Sequence, residues 1–178
     1  MKQFFDILKP AIILCLICGF LTAALATTNM FTKDIIDKKA EITTQEALHS
    51  CIEADSFEEV DLDDESNSVI AYKAIKDNKL TGYAFSVKTT GYGGDISTIV
   101  GIKGGKVTTI EITDVSNETP GLGQNAKNSA FTDKFKGISS ADEVVPMTGA
   151  TITSNAVKTA VNKAFDAYYK LKLRGDAE

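Results

Sequence analysis

A run of 22 residues without a single charged side chain, residues 11–32, constrains this chain more than any other feature. As an α-helix, residues 11–30 would extend about 30 Å, the thickness of a bilayer's hydrocarbon core. Thr27, Thr28 and Asn29 weaken the end of the run, so its strongly apolar part is nearer 11–26. Lys2 and Lys9 precede it, which predicts a cytoplasmic N-terminus. Lys33, Lys38 and Lys39 come after it, mixed with Asp34 and Asp37. Two readings are open. The run is a retained transmembrane anchor, or it is a signal peptide cleaved after Ala24-Leu25-Ala26. Both place the remainder of the chain outside the cytoplasm.

The rest of the 178 residues is long enough for one domain with its own core. The net charge is -5, with acids and bases interspersed, which argues against a nucleic-acid partner. Cys15 and Cys18 form a C-x-x-C inside the apolar run, where small apolar filler is the simpler reading than a redox pair. Cys51 is the single thiol beyond that run, so no disulfide forms within the soluble part. His49 reads as a surface helix residue, and no zinc or iron–sulfur ligand set is apparent.

Hydrophobic periodicity predicts an α+β fold. Residues 41–60 read as helical, with Ala47, Leu48, Cys51, Ile52 and Phe57 apolar, and the acidic stretch 55–64 as a solvated loop. Two hairpins come next, 68–75 with 80–88 and 96–102 with 106–113, the second turning on Gly104-Gly105. These four strands are expected to form an antiparallel sheet with one buried face. Gly91-Tyr92-Gly93-Gly94 lies between the hairpins, either as a plain turn or as backbone that a ligand approaches closely. Residues 116–127 read as a loop bent by Pro120-Gly121, and residues 128–135 as a short amphipathic helix bearing Phe131 and Phe135. A long final helix carries Val157, Val161, Ala164, Phe165, Tyr168 and Leu171 on one face.

That helix is preceded by MTGATITS, residues 147–154. Thr153 or Ser154 would serve as N-cap. The amides at a helix N-terminus favour an anion, Gly149 and Ala150 add no bulk, and Thr151 sets a hydroxyl beside them. A capped helix after a tight turn and a phosphate-binding site both account for this pattern.

Three segments, in order, resemble one family: GYGGDISTIVGI at 91–102 with Gly104, Gly105 and Lys106 after it, ETPGLG at 118–123, and TGAT at 148–151. They resemble the FMN-binding domain family. With the N-terminal apolar segment, the whole is similar to the G subunits of Rnf-type electron transport complexes. The C subunits of sodium-translocating NADH:quinone reductases are a related, less close match. The resemblance implies an N-terminal transmembrane helix over 1–32, a helical linker over 33–66 and an extracytoplasmic FMN-binding domain over 67–178, its antiparallel sheet packed against helices. It implies FMN held covalently on Thr151 through its phosphate. The cofactor site it outlines comprises Thr148, Gly149, Ala150, Thr151, Thr153 and Ser154, with Glu118, Thr119, Gly121, Leu122, Gly123 and Tyr92 towards the ring. Glu118 would hold its loop or tune the flavin, or it is a solvated loop carboxylate. One departure stands out: the family usually has an aspartate six positions before the modified threonine, and this chain has Val145, with Asp142 and Glu143 the nearest acids.

The implied function is an electron relay in a membrane-bound, ion-translocating ferredoxin:NAD oxidoreductase. Its partners would be the other subunits of the complex, a flavin transferase and membrane lipid, with no nucleic acid. A stand-alone extracytoplasmic flavoprotein and a non-redox assembly protein are the alternatives.

Overall fold

The computed structural model describes residues 2–62 and 68–175. They fall into two compact units, divided between Ile42 and Thr43. The first helix, α1, spans Lys2–Cys51. In the first unit it carries the apolar run, whose Ile12, Leu16, Phe20 and Leu25 side chains are exposed. This helix is long and apolar enough to cross a membrane. The threonines that dilute the run do not oppose that role. Thr22, Thr27, Thr28 and Thr32 each donate a hydroxyl to the carbonyl four residues back, at 2.7, 2.7, 3.0 and 2.9 Å. A hydroxyl satisfied within its own helix needs no water.

The second unit is built on a five-stranded antiparallel meander in the order β1-β2-β3-β4-β5. The strands are β1 Ser56–Val60, β2 Val69–Lys76, β3 Lys79–Thr90, β4 Asp95–Lys103 and β5 Lys106–Asp114. Two of the connections are two-residue turns, Asp77-Asn78 and Gly104-Gly105, with φ of 51° and 58° in one and 59° and 75° in the other. Positive φ at both central residues gives the turn whose twist matches paired strands, and Asp, Asn and Gly are the residues that adopt it most readily. The turns set the registers Lys76 opposite Lys79 and Lys103 opposite Lys106.

Both faces of the sheet are buried, against the expectation of one. Tyr83, Phe85, Val87, Val100, Ile102, Ile110 and Ile112 form one face, in a common core with Val157, Ala160, Val161, Ala164, Tyr168 and Leu171. The latter all lie on helix α3, Thr151–Leu173. Tyr83 and Tyr168 meet edge to face at 6.0 Å. Ala74, Ala84 and Ile99 point the other way and are covered by Ala47, Leu48, Cys51 and Ile52 at the end of α1. Small residues make this second seat. A Cβ on Gly101 would come within 2.8 Å of the Cys51 carbonyl oxygen and 2.9 Å of Ile52 Cγ1. The Thr108 hydroxyl donates to that same carbonyl at 2.7 Å, tying the helix end to the sheet.

Four further stretches differ from the sequence reading. The helical stretch expected over 41–60 ends at Cys51, and Ser56–Val60 is instead β1, a strand added to the four expected and paired with β2. Its outward Glu58 and Glu59 give it the acidic look of a loop, while charge on an edge strand guards its unpaired side. Asp63 and Asp64, in the acidic stretch, lie outside the described residues. Residues 43–62, expected to belong to the helical region and linker, fall in the second unit. The loop expected over 116–127 closes in a 3-10 turn, Gly123–Lys127. The helix expected over 128–135 is a single α-helical turn, α2 (Ser129–Thr132), and a 3-10 turn, Asp133–Phe135. Its Phe131 and Phe135 are buried and meet edge to face at 5.3 Å. His49 is exposed on α1, its ring 4.9 Å from Phe57.

Burial, and after it the charge of Glu111, push the Cys51 thiol up to about 12 from its ordinary 9.0. A raised value favours the protonated thiol in the folded protein. Its contribution to stability is full below pH 9.0 and fades as pH climbs from there towards about 12. The native protein at pH 8 should therefore leave Cys51 unmodified by iodoacetamide, and the same protein in urea should be alkylated there, as read by peptide mass mapping. Rapid native alkylation at Cys51 would contradict the packing.

Candidate functional site

The start of α3 shapes the site. The helix begins at Thr151, earlier than the capping pattern suggests, with Ala150 as N-cap and no side chain capping it. Thr153 and Ser154 are inside the helix and buried. A tight turn over 147–150 replaces the side-chain cap: the Ala150 amide donates to the Met147 carbonyl at 3.2 Å. Gly149 stands at the turn's third position with φ +80°, a value that favours glycine. Ser154 locks the turn from behind. Its Oγ accepts from the Met147 amide at 2.9 Å and donates to the Ala150 carbonyl at 2.8 Å.

This leaves the amides of Thr151, Ile152 and Thr153 as the first three of α3, without a carbonyl partner inside the helix. They carry the positive end of a 23-residue helix. Thr151 is exposed beside them, with its hydroxyl on the first helical residue.

Glu118 is not a solvated loop carboxylate. It is 2% exposed, and both of its oxygens are engaged. Oε1 accepts from the Gly93 amide at 3.0 Å, and Oε2 accepts from the Thr153 hydroxyl at 2.5 Å. The glycines around it are explained by this contact. A Cβ on Gly123 would lie 2.7 Å from Glu118 Oε2 and 2.8 Å from Thr153 Oγ1. A Cβ on Gly91 would collide with Glu118 Oε1, and one on Gly93 with the Asn117 carbonyl oxygen. Gly91, Gly93 and Gly94 do not use positive φ. Their smallness lets the 91–94 turn close on residues 117–118.

Three segments thus converge on a cleft of about 430 Å³ lined by Tyr92, Thr119, Leu122, Gly123, Gly149, Ala150, Thr151, Ile152 and Thr153. Of the residues proposed from sequence, Tyr92, Thr119, Leu122, Gly123, Gly149, Ala150, Thr151 and Thr153 line it together. Glu118 and Ser154 are buried behind its wall. Thr148 is exposed in the adjoining turn, and Gly121, with φ +75°, bends the 118–123 loop. Ile152 is a lining residue that sequence reasoning missed. An isoleucine on the first turn of an amphipathic helix, off its buried face, was the available signal. Tyr92, Leu122 and Ile152 are exposed apolar groups at the cleft. Leu122 Cδ2 lies 3.4 Å from where a Gly149 Cβ would stand. Val145, Asp142 and Glu143 are exposed upstream of the turn.

Unpaired amides and a free hydroxyl suit a phosphate. The apolar groups nearby suit a flat ring. The residues present therefore fit a flavin mononucleotide.

Residues 91–166 match the FMN-binding domain family, and residues 1–50 match the RnfG N-terminal region family. The G subunit of the proton-translocating ferredoxin:NAD(+) oxidoreductase complex of Clostridium ljungdahlii is 32% identical over 93% of this chain and 91% of its own length. The chain belongs to the G-subunit family of these complexes. A second relative, the G subunit of the Na(+)-translocating ferredoxin:NAD(+) oxidoreductase complex of Acetobacterium woodii, is 29% identical over 93% of each chain. The G subunit of the ion-translocating oxidoreductase complex of Methanosarcina acetivorans is 28% identical over 90% of this chain and 94% of its own. The fold also resembles the crystal structure of the C subunit of Na(+)-translocating NADH-quinone reductase from Parabacteroides distasonis. The TM-score is 0.50 at 18% identity, over 62% of this chain and 67% of that one. Thr151, Glu118, Tyr92 and Leu122 all fall within the matched FMN-binding domain.

Replacing Ser154 with Ala removes the acceptor of the Met147 amide. The bond is part-buried, so its loss costs about 0.5–1.5 kcal/mol. Ser154→Ala should lower the urea midpoint of the chain accordingly and speed amide exchange at Met147. An unchanged midpoint and unchanged exchange would show that the turn holds without it.

Proposed function

We propose that this chain is an electron-carrying subunit of a membrane-bound, ion-translocating ferredoxin:NAD oxidoreductase complex, and that it holds FMN as a phosphoester on Thr151. The three relatives, which match nearly the full chain, support the first part. One observation carries the second: Thr151 is exposed on the first residue of α3, lining the cleft beside three amides that lack helical acceptors. FMN, when bound, supplies one- and two-electron transfer that no protein side chain performs as readily. The chain's own residues provide attachment and orientation. Thr151 Oγ would hold the flavin through its phosphate, in a transfer from FAD by a flavin transferase that would release AMP. The amides of Thr151, Ile152 and Thr153 would offset the charge of its remaining phosphate oxygens. Tyr92, Leu122 and Ile152 offer apolar surface to the ring. Covalent attachment suits a domain on the extracytoplasmic side, where a free cofactor is lost by dilution. The partners in this reading are the other subunits of the complex, the transferase, and the lipid around residues 11–32.

Full-length chain produced with a flavin transferase should gain the mass of FMN less one water. Thr151→Ala should abolish the gain, and Thr159→Ala, an exposed threonine of α3 outside the cleft, should keep it. An equal adduct in Thr151→Ala would refute the attachment point.

Topology is tested separately. Cysteine substituted at exposed Asp133 should react with a membrane-impermeant maleimide in intact cells, and one substituted at Lys2 should react only after lysis. The reverse pattern would place the domain in the cytoplasm.

A further inference from the structure

Among the described buried side chains, Glu118 is the one that carries a charge. Burying a carboxylate costs several kcal/mol unless other groups meet it. Here no described lysine or arginine is paired with it; a backbone amide, a hydroxyl and the positive end of α3 meet it instead. Its partners sit on separate stretches of chain. Gly93 belongs to the turn that presents Tyr92, Thr153 to the first turn of α3 that presents Thr151, and Glu118 itself opens the loop that presents Leu122. Each wall of the cleft is therefore fastened to one side chain. The glycines at 91 and 123 let the walls close on it, since a Cβ at either would meet its oxygens.

We propose that Glu118 is the positioning residue of this site, holding the Tyr92 turn and the Leu122 loop against the N-terminus of α3, and that its negative charge keeps the potential of the flavin in the cleft low. This rests on the reading of the cleft as an FMN site. The charge stands directly behind Gly123 and Thr153, both of which line the cleft. A fixed negative charge there disfavours the added electron density of the reduced ring. It also accounts for a carboxylate where an apolar residue would otherwise pack more cheaply.

Two substitutions separate the roles. Glu118→Gln keeps the shape and removes the charge: its amide oxygen accepts from Gly93, and its nitrogen donates to the Thr153 hydroxyl. Glu118→Asp keeps the charge but is one methylene too short to reach both partners. The test uses full-length chain produced with a flavin transferase and purified in detergent. Intact mass reports attachment, a spectroelectrochemical titration reports the potential, and hydrogen exchange reports the Gly93 amide.

With Gln, attachment and exchange should stay near wild type, and the reduction equilibrium constant should rise about three- to tenfold, tenfold being about 30 mV for a two-electron couple. With Asp, Gly93 should exchange faster and attachment should fall. A retained adduct with an unchanged potential in Gln overturns the charge effect. Unchanged Gly93 exchange in Asp overturns the positioning role. Should Glu118→Gln fail to fold, Thr153→Val removes one of the two bonds. Faster Gly93 exchange in that variant supports the clasp, and wild-type exchange overturns it. Absence of any adduct in the wild type defeats the attachment at Thr151 alone, because the exchange measurement on flavin-free chain still decides whether Glu118 holds the walls.

Discussion

The hydrogen bonds to the buried Glu118 carboxylate are the constraint around which the site is organised. Gly93 and Thr153 are 60 residues apart in sequence, yet the amide of one and the hydroxyl of the other are given to the same side chain. A buried carboxylate cannot be left half satisfied, so the cost of losing either bond is what holds the three segments in place. The glycine-rich look of the two loops has the same origin, because any side chain at 91 or 123 would occupy the carboxylate's space.

The sheet is the platform for this arrangement. Its strands alternate so that large residues, Tyr83, Phe85 and Val87, meet α3, while small ones, Ala84 with Gly82 and Gly101, face the end of α1. Tyr83 and Tyr168 anchor the far part of α3, and Val157 and Val161 seat its middle. The N-terminal turn of the helix is then left at the end of β3, close to the β3–β4 connection that carries Tyr92. The Thr89 hydroxyl, at the end of β3, donates to the Ala156 carbonyl of α3 at 3.1 Å and joins sheet to helix beside the cleft. Precision at Thr151 is thus inherited from packing many residues away.

In the first unit the physics is different. Apolar side chains of the 11–32 run such as Ile12, Leu16, Phe20 and Leu25 are exposed along the helix, so their burial calls for an apolar medium around it. The threonine hydroxyls turned back onto helix carbonyls are consistent with that medium being lipid.

Much of this protein was legible in its sequence because it is local. Turns at Asp77-Asn78 and Gly104-Gly105, the period of α3, the uncharged run and the order of the three glycine- and threonine-containing motifs all depend on near neighbours or short repeats. The motifs also sufficed to draw together eight residues that line the cleft. What the sequence could not determine is non-local. Residues 56–60 read as an acidic loop until β2 offered them a partner, and the second buried face appeared only when Ala47, Leu48 and Ile52 found a seat of alanines and glycines. Ser154 looks like a cap, but its hydroxyl is worth more bridging Met147 and Ala150, which moves the helix start back to Thr151. Glu118 looks solvated in a loop that holds Pro120, Gly121 and Gly123. Only tertiary structure brings Gly93 and Thr153 to it, because hydrogen-bond satisfaction of a buried charge is a property of the assembled fold and leaves no period in the chain.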